Sequence, residues 1–336
     1  MEFRINQEQL SYLQKERGKF QYYFFSPVFK KENNIGSTVN GEFEKVTENV
    51  SRLIYKQNGE EMGVDILLFN QTDSFFIAFG TLKNRKEIES IGAQLRFLGL
   101  YPFVVSKEKM FEILENEYLD YVLREYRSGG TRLQSYFKDH TDNDVILTRL
   151  EQDKKLSLKP YRATFALKSK KKQTIEIFHD GFIITENPSL HLNFINDLIK
   201  VFFNVNVELF NFAERAVFKS KTDKSLPSLK KILFIFSNSV TSLDLFYKIQ
   251  TSLTYKREES VKATITIMNQ ISDWHISSKI VYRNFLKEDT DSIGVYYLTV
   301  TGRRVFLSTL KGDPYRSIQI YSAIDEVGTL SEMKVI

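Results

Sequence analysis

The chain has 336 residues and a mass of 39.4 kDa, with 42% hydrophobic and 26% charged residues, 28 Phe and 17 Tyr, which excludes a disordered chain and fits two globular domains. It has no cysteine, which excludes a disulfide framework, a thiol nucleophile and cysteine-ligated zinc or iron–sulfur centres. The net charge of +5 is uneven: residues 1–150 carry 20 Lys and Arg against 22 Asp and Glu, and residues 151–336 carry 27 against 20, so contact with a polyanion is expected mainly in the second part.

The opening MEFRINQEQL has no basic segment leading into an apolar one, and no run reaches the roughly 18 apolar residues of a bilayer span. A cytoplasmic protein without membrane contact is expected. QYYFFSPVF then reads as an aromatic strand, and NNIGSTVNG (33–41) as a turn. EFEKVTENV places Phe43, Val46 and Val50 at helical spacing, so Glu48 is expected on a helix. VDILLF and SFFIAFG are two apolar strands joined by NQTD, a hairpin connection. KNRKEIESIGAQLRFLG returns to a helix with Ile88, Ile91, Leu95 and Leu98 on one face, followed by the strand YPFVVS and a second helix over 107–126. SGG (128–130) marks a turn and KDHTDNDV (138–145) a linker, so the domains are drawn at 1–150 and 151–336.

The second part opens with the alternating run YRATFALKSKKKQTIEIFHDGFIIT, a strand meander, and continues with the helical HLNFINDLIKVFFNV. KILFIFSNSVTSLDLFYKIQTSL reads as strand, loop and helix, its hydroxyl residues suited to capping the helix. VKATITIM, GVYYLTV, RRVFLST and SIQIYSAI follow as strands, and the order as a whole is α+β.

Three pieces of the first part carry chemistry: VTENV around Glu48, GVD ending at Asp65 and GTLK ending at Lys83. In this order, and over roughly residues 42–106, they resemble the core of PD-(D/E)xK nucleases. The resemblance implies an N-terminal nuclease-like mixed α/β domain. Within it, Glu48 and Asp65 would hold Mg²⁺ through carboxylate oxygens, Lys83 would orient the attacking water or stabilise a developing oxyanion, and Gln94 would add a polar contact. The motif expects a carboxylate two residues before the lysine, where this chain has Thr81, so a complete site needs another acid from Glu60, Glu61, Asp73 or the second domain. The same residues also fit a non-catalytic reading: Asp65 capping a turn, Lys83 at the solvent end of a strand, Glu48 on a wetted face and Gln94 facing solvent.

Lys168, Lys170, Lys171 and Lys172 lie within five positions and meet phosphates if they sit at a hairpin tip. Lys230 and Lys231, Lys256 and Arg257, and Arg303 and Arg304 add further cations; Tyr255 and Tyr282 near them would stack on unpaired bases if exposed, though rings in a chain of this composition belong more often to the core. The four histidines, His140, His179, His191 and His275, have no metal-site spacing. No dinucleotide fingerprint, P-loop, kinase signature or serine-hydrolase elbow is present.

The expected function is therefore nucleic-acid binding, to DNA or RNA, in host defence or mobile-element DNA metabolism, by a nuclease-like domain followed by a basic strand-rich α+β domain. A metal-dependent DNA or RNA endonuclease and a non-catalytic scaffold for an acidic protein partner are the alternatives.

Overall fold

A computed structural model describes residues 4–15, 22–30, 41–57, 60–61, 66–72, 74–97, 99–129, 134–138, 143–156, 158–219, 231–237, 241–255, 261–284, 292–311, 314–328 and 330–336. Along the chain run α1 (Gln7–Lys15), β1 (Tyr22–Lys30), β2 (Gly41–Thr47), β3 (Val50–Gln57), β4 (Glu60–Glu61), β5 (Ile66–Asn70), β6 (Phe75–Leu82), α2 (Glu87–Phe97) and β7 (Leu100–Pro102). Next come α3 (Lys107–Glu115), β8 (Tyr121–Gly129), β9 (Gln134–Lys138), α4 (Asn143–Lys155), β10 (Lys159–Leu167), β11 (Thr174–Phe178), β12 (Ile183–Thr185) and α5 (Pro188–Lys219). The last elements are β13 (Lys231–Phe236), α6 (Ser242–Tyr255), β14 (Val261–Ile271), β15 (His275–Asn284), β16 (Ser292–Thr301), β17 (Arg304–Lys311), α7 (Pro314–Val327) and β18 (Leu330–Val335). Helices with antiparallel sheets make this an α+β protein.

The chain divides into two compact units, Met1–Val105 with Lys109–Asn204 and Ser106–Glu108 with Val205–Ile336. This differs from the division expected at residue 150. The polar 138–145 stretch that suggested a linker runs from β9 into α4, and β10, β11 and β12 continue the sheet of the first unit.

That sheet runs β2-β3-β5-β6-β1-β12-β11-β10-β8-β9, with β4 on β3 and β7 on β1. β1 is buried through most of its length, as a strand covered on both faces must be. On one face Phe24, Val28, Leu68, Phe76 and Ile184 pack with Ile91 and Leu95 of α2. On the other, α5 lays Phe194 edge-on to Phe165 at 5.5 Å and Phe203 edge-on to Phe75 at 5.3 Å. Asn196 of α5 pins the N-terminal segment, accepting the Ile5 N–H at 2.7 Å and donating to the Ile5 carbonyl at 3.0 Å.

The second unit has one antiparallel sheet in the order β14-β15-β16-β17-β13-β18. Its alternate residues Ile276, Ile280, Tyr296, Leu298, Val305, Leu307 and Phe234 are buried on one face. α6 packs against β14, β15 and β16. α7 sets Tyr321 5.9 Å from Phe234 and the Arg316 guanidinium 5.3 Å over Tyr282. The start of α6 is capped by Thr241, whose Oγ1 accepts the Asp244 N–H at 3.2 Å and donates to the Asp244 carboxylate at 2.8 Å. No helix among the described residues is long and apolar enough to cross a membrane.

Four elements differ from their sequence expectation. The expected helix around Glu48 is the β2–β3 hairpin, in which Thr47 pairs with Val50 across a two-residue connection, Glu48–Asn49. β-Branched Val46, Thr47 and Val50 favour the strand, and Asn49 suits the tight turn. The helix expected over 107–126 ends at Glu115, and β8 begins at Tyr121. Of the SGG expected as a turn, Ser128 and Gly129 pair with β10 at the end of β8, and Gly130 lies outside the described residues. SIQIYSAI lies in α7, opened by Pro314 at its first position, where a missing N–H costs nothing.

Candidate nucleic-acid interface

Asp65 lies outside the described residues, but its expected companions do not converge. Glu48 is exposed in the β2–β3 turn. Its neighbour Asn49 accepts the N–H of Asn70, the last residue of β5, and Asn70 pairs with Phe76 near the start of β6. Lys83 follows the other end of β6. Seven strand residues at about 3.4 Å each separate the two levels by roughly 24 Å. Magnesium binds its oxygens at about 2.0–2.1 Å, so an ion held by Glu48 would lie beyond the reach of Lys83, which could not orient a water bound to it.

Lys83 is instead part of the entry to α2. Its N–H donates to Glu87 Oε2 at 2.9 Å, and the Asn84 carboxamide holds Glu87 Oε1 at 3.3 Å while accepting the Lys86 N–H at 2.9 Å. This is helix capping by an acid in the first turn. Gln94 is half-buried on α2, and Thr81 pairs with Tyr23 inside the sheet. Among the described residues, no group of three or more His, Asp or Glu side chains is arranged to hold a metal ion.

The first unit also carries an arginine cluster. Buried Glu176 meets Arg85 at 2.7 Å and Arg162 at 2.9 Å, and Arg127 meets Glu125 at 3.2 Å. Burial raises the Glu176 carboxyl above its ordinary range despite the pull of Arg162 and Arg85 in the other direction. The acids occupy the guanidinium groups, so the cluster ties the start of α2 to β10 and β11 and presents little net charge to a ligand.

The lysine run is a hairpin tip between β10 and β11, with Lys168, Lys170, Lys171 and Lys172 all exposed. Lys168 is held, its Nζ donating to the Tyr118 carbonyl at 3.1 Å and the Leu119 carbonyl at 2.8 Å. Arg124 donates to the Lys171 carbonyl at 3.3 Å. The tip is a cationic point of the first unit, tied to the rest of it through Lys168 and the Lys171 carbonyl.

In the second unit Lys230, Lys256 and Arg257 lie outside the described residues, as does the side chain of Tyr255. Tyr282 is buried beneath Arg316 and is no stacking platform. Arg303 sits in the β16–β17 turn, where Gly302 adopts φ 55° and donates its N–H to Ser242 Oγ at 2.7 Å. Arg304 and Lys231 are both exposed and face the same side of the sheet, at opposite ends of the β13–β17 pair, because Ile235 faces Arg304 and Ser308 faces Lys231.

That side is the face opposite α6 and α7, and strand register orders it into rows. One row reads Thr266, Lys279, Tyr297, Ser308 and Lys231. The next reads Asn269, Ser277, Thr299, Phe306, Leu233 and Lys334, and the third Ile271, His275, Thr301, Arg304, Ile235 and Glu332. Arg283 continues the face beyond Val281 on β15. Tyr297, Phe306 and Lys279 are half-exposed, whereas Lys231, Arg283, Arg304 and Lys334 are exposed. Glu332 is the one acid on this face among the described residues, and it pairs with Lys334 at 2.5 Å.

Tyr297, Phe306, Lys279, Arg283 and Lys334 are absent from the sequence-derived candidates. For Tyr297 and Phe306 a signal was present, because alternation in GVYYLTV and RRVFLST sets each on one face of its strand, whereas the strands that carry Lys279, Arg283 and Lys334 were not among those expected from the sequence. Also missing was the strand order, which brings β15, β16, β17, β13 and β18 side by side. Trp274, in the 3-10 turn Ser272–Trp274 between β14 and β15, is 57% exposed, and Ile267, Met268 and Ile271 are exposed along β14, the outer strand.

No family model matches the chain, and no curated protein matches its sequence.

Proposed function

We propose that this protein binds nucleic acid, and that the open face of the second unit's sheet is the binding surface. One observation carries the reading: five cations, Lys231, Lys279, Arg283, Arg304 and Lys334, share a half-exposed sheet face with Tyr297 and Phe306, against one acid among the described residues. The opposite face of the same sheet is a closed apolar core, so this distribution is not a general property of the strands. Cations supply the phosphate term, and rings on a rigid platform supply contact to bases. The lysine tip at 168–172 adds a second, backbone-directed cationic surface on the first unit.

Binding of a labelled mixed-sequence oligonucleotide, followed by fluorescence anisotropy across a salt series, tests the reading. Four to five phosphate contacts give a slope of log K against log salt of about −3 for a single strand. Replacing Lys279 and Arg304 together by Ala reduces that slope by about 1.4. A slope near zero, or one unmoved by the double substitution, shows that this face does not carry the contact.

A further inference from the structure

Resting on the nucleic-acid reading above, we infer that the ligand of this face is single-stranded, with two successive unpaired bases stacked on Tyr297 and Phe306. The rings stand on neighbouring strands in a diagonal relation: Phe306 faces Thr299, two residues along β16 from Tyr297. Diagonal neighbours on one sheet face are roughly 7–8 Å apart. Successive bases in a duplex are about 3.4 Å apart along each strand and cover one another's faces. Rings at about twice that spacing therefore meet bases that have been drawn apart, which only an unpaired strand provides at low cost.

The charges fit such a strand. Lys279 and Lys231 flank the Tyr297 row on either side, Lys334 closes the Phe306 row, and Arg304 stands at the third. Phosphates thus find cations on both sides of the two rings. Beside Phe306 lies a linked polar row suited to base edges or ribose hydroxyls. His275 Nδ1 is 3.0 Å from Thr301 Oγ1, His275 Nε2 is 3.2 Å from Ser277 Oγ, and Ser277 Oγ is 3.3 Å from Thr299 Oγ1. Ring stacking serves DNA and RNA alike, so the shared chemistry is an unpaired polynucleotide, and both forms belong in the test.

The test compares one labelled sequence as single-stranded DNA, as single-stranded RNA and as duplex DNA, on the full chain and on the variants Y297L, F306L and Y297W. Leucine keeps the apolar contact with the sheet while removing the ring; thermal melting reports that each variant is folded. At least one single strand is expected to bind more tightly than the duplex, each leucine variant to lose about 5- to 100-fold on that strand, and Y297W to retain binding. Equal affinity for duplex and single strand, or leucine variants that bind like the parent, overturns the stacking inference and leaves the nucleic-acid reading standing. Failure of all three oligonucleotides to bind at low salt overturns that reading itself.

Discussion

His191 shows how burial alone sets a pH limit on stability. It is fully buried on α5, and Tyr121 of β8 lies 3.0 Å from its Nδ1. Burial and the nearby Asp120 charge push the Tyr121 phenol up to about 12, so the hydroxyl keeps its proton while it shares a hydrogen bond with Nδ1. Burial also lowers the His191 imidazole to about 4 from an ordinary 6.5. In the unfolded chain the ring takes up a proton near 6.5, while in the folded chain it resists until about 4. The unfolded state therefore binds more protons across this window, and stability falls as the pH drops through it, by roughly 3 kcal/mol in all. Denaturant titration of the first unit's transition at pH 7, 5.5 and 4 should show this loss, and H191Q should flatten it while lowering stability at pH 7 by roughly 1–2 kcal/mol.

At the scale of elements, the turn between β11 and β12 depends on Gly181. Its φ is 83°, and a Cβ there would lie 2.5 Å from the carbonyl oxygen of Phe103. The neighbouring His179 carbonyl accepts the Val105 N–H at 2.8 Å, so the backbone of 103–105 cannot retreat without losing a hydrogen bond. Strain and displacement act together, and G181A is expected to lower stability by roughly 2 kcal/mol or more. A control at Gly99, which also has a positive φ but open space around its missing Cβ, should cost only about 1 kcal/mol. Equal melting temperatures for the two variants would show that the contact with Phe103 is without weight.

These elements also show what the chain discloses on its own. The β5–β6 hairpin, α2 and the β10–β11 tip follow from apolar runs and turn residues close together in sequence. β8 was hidden by a bulge. Ala163 pairs with Tyr126 and Phe165 with Leu123, so Arg124 is the extra residue, and Leu123 and Tyr126 share a face although three positions apart. That spacing is the one a helix presents, and only the partner strand distinguishes the two. α7 was hidden for the opposite reason: Ile318, Ile320, Tyr321, Ala323 and Ile324 are all buried, and apolar residues at 318 and 320 as well as at 321 and 324 satisfy a period of two as well as 3.6. The open face was legible only in part, through the strands of Tyr297 and Phe306, and pairing between strands distant in sequence carries no local signal. Glu48 was misplaced because a short segment with β-branched residues takes its structure from the strand it pairs with.

For the molecule as a whole, the position of the division changes the meaning of the charge. Drawn at residue 150, it gives the second part all four lysines of the 168–172 tip. Drawn at Asn204, it leaves residues 205–336 with 18 Lys and Arg against 14 Asp and Glu, and the tip belongs to the first unit. The protein therefore carries two cationic surfaces of different kinds. Exposed lysines on a turn meet backbone charge and hold no information about base pairing, whereas a face that combines cations with Tyr297 and Phe306 requires bases to be available. Replacing Lys170, Lys171 and Lys172 by Ala should weaken both single-strand and duplex binding without lowering the preference for the single strand, because each phosphate contact contributes about 0.9 to the salt slope on a duplex and about 0.7 on a single strand. Replacing Tyr297 and Phe306 together by Leu should bring the ratio of the two affinities towards one while leaving the salt slope in place. Dissociation constants for both oligonucleotides at one fixed salt concentration separate the two effects, because loss of the rings lowers the single-strand preference whereas loss of the lysines leaves or raises it. A fall of that preference on removing the lysines, with none on removing the rings, would assign the discrimination to the tip and withdraw it from the sheet.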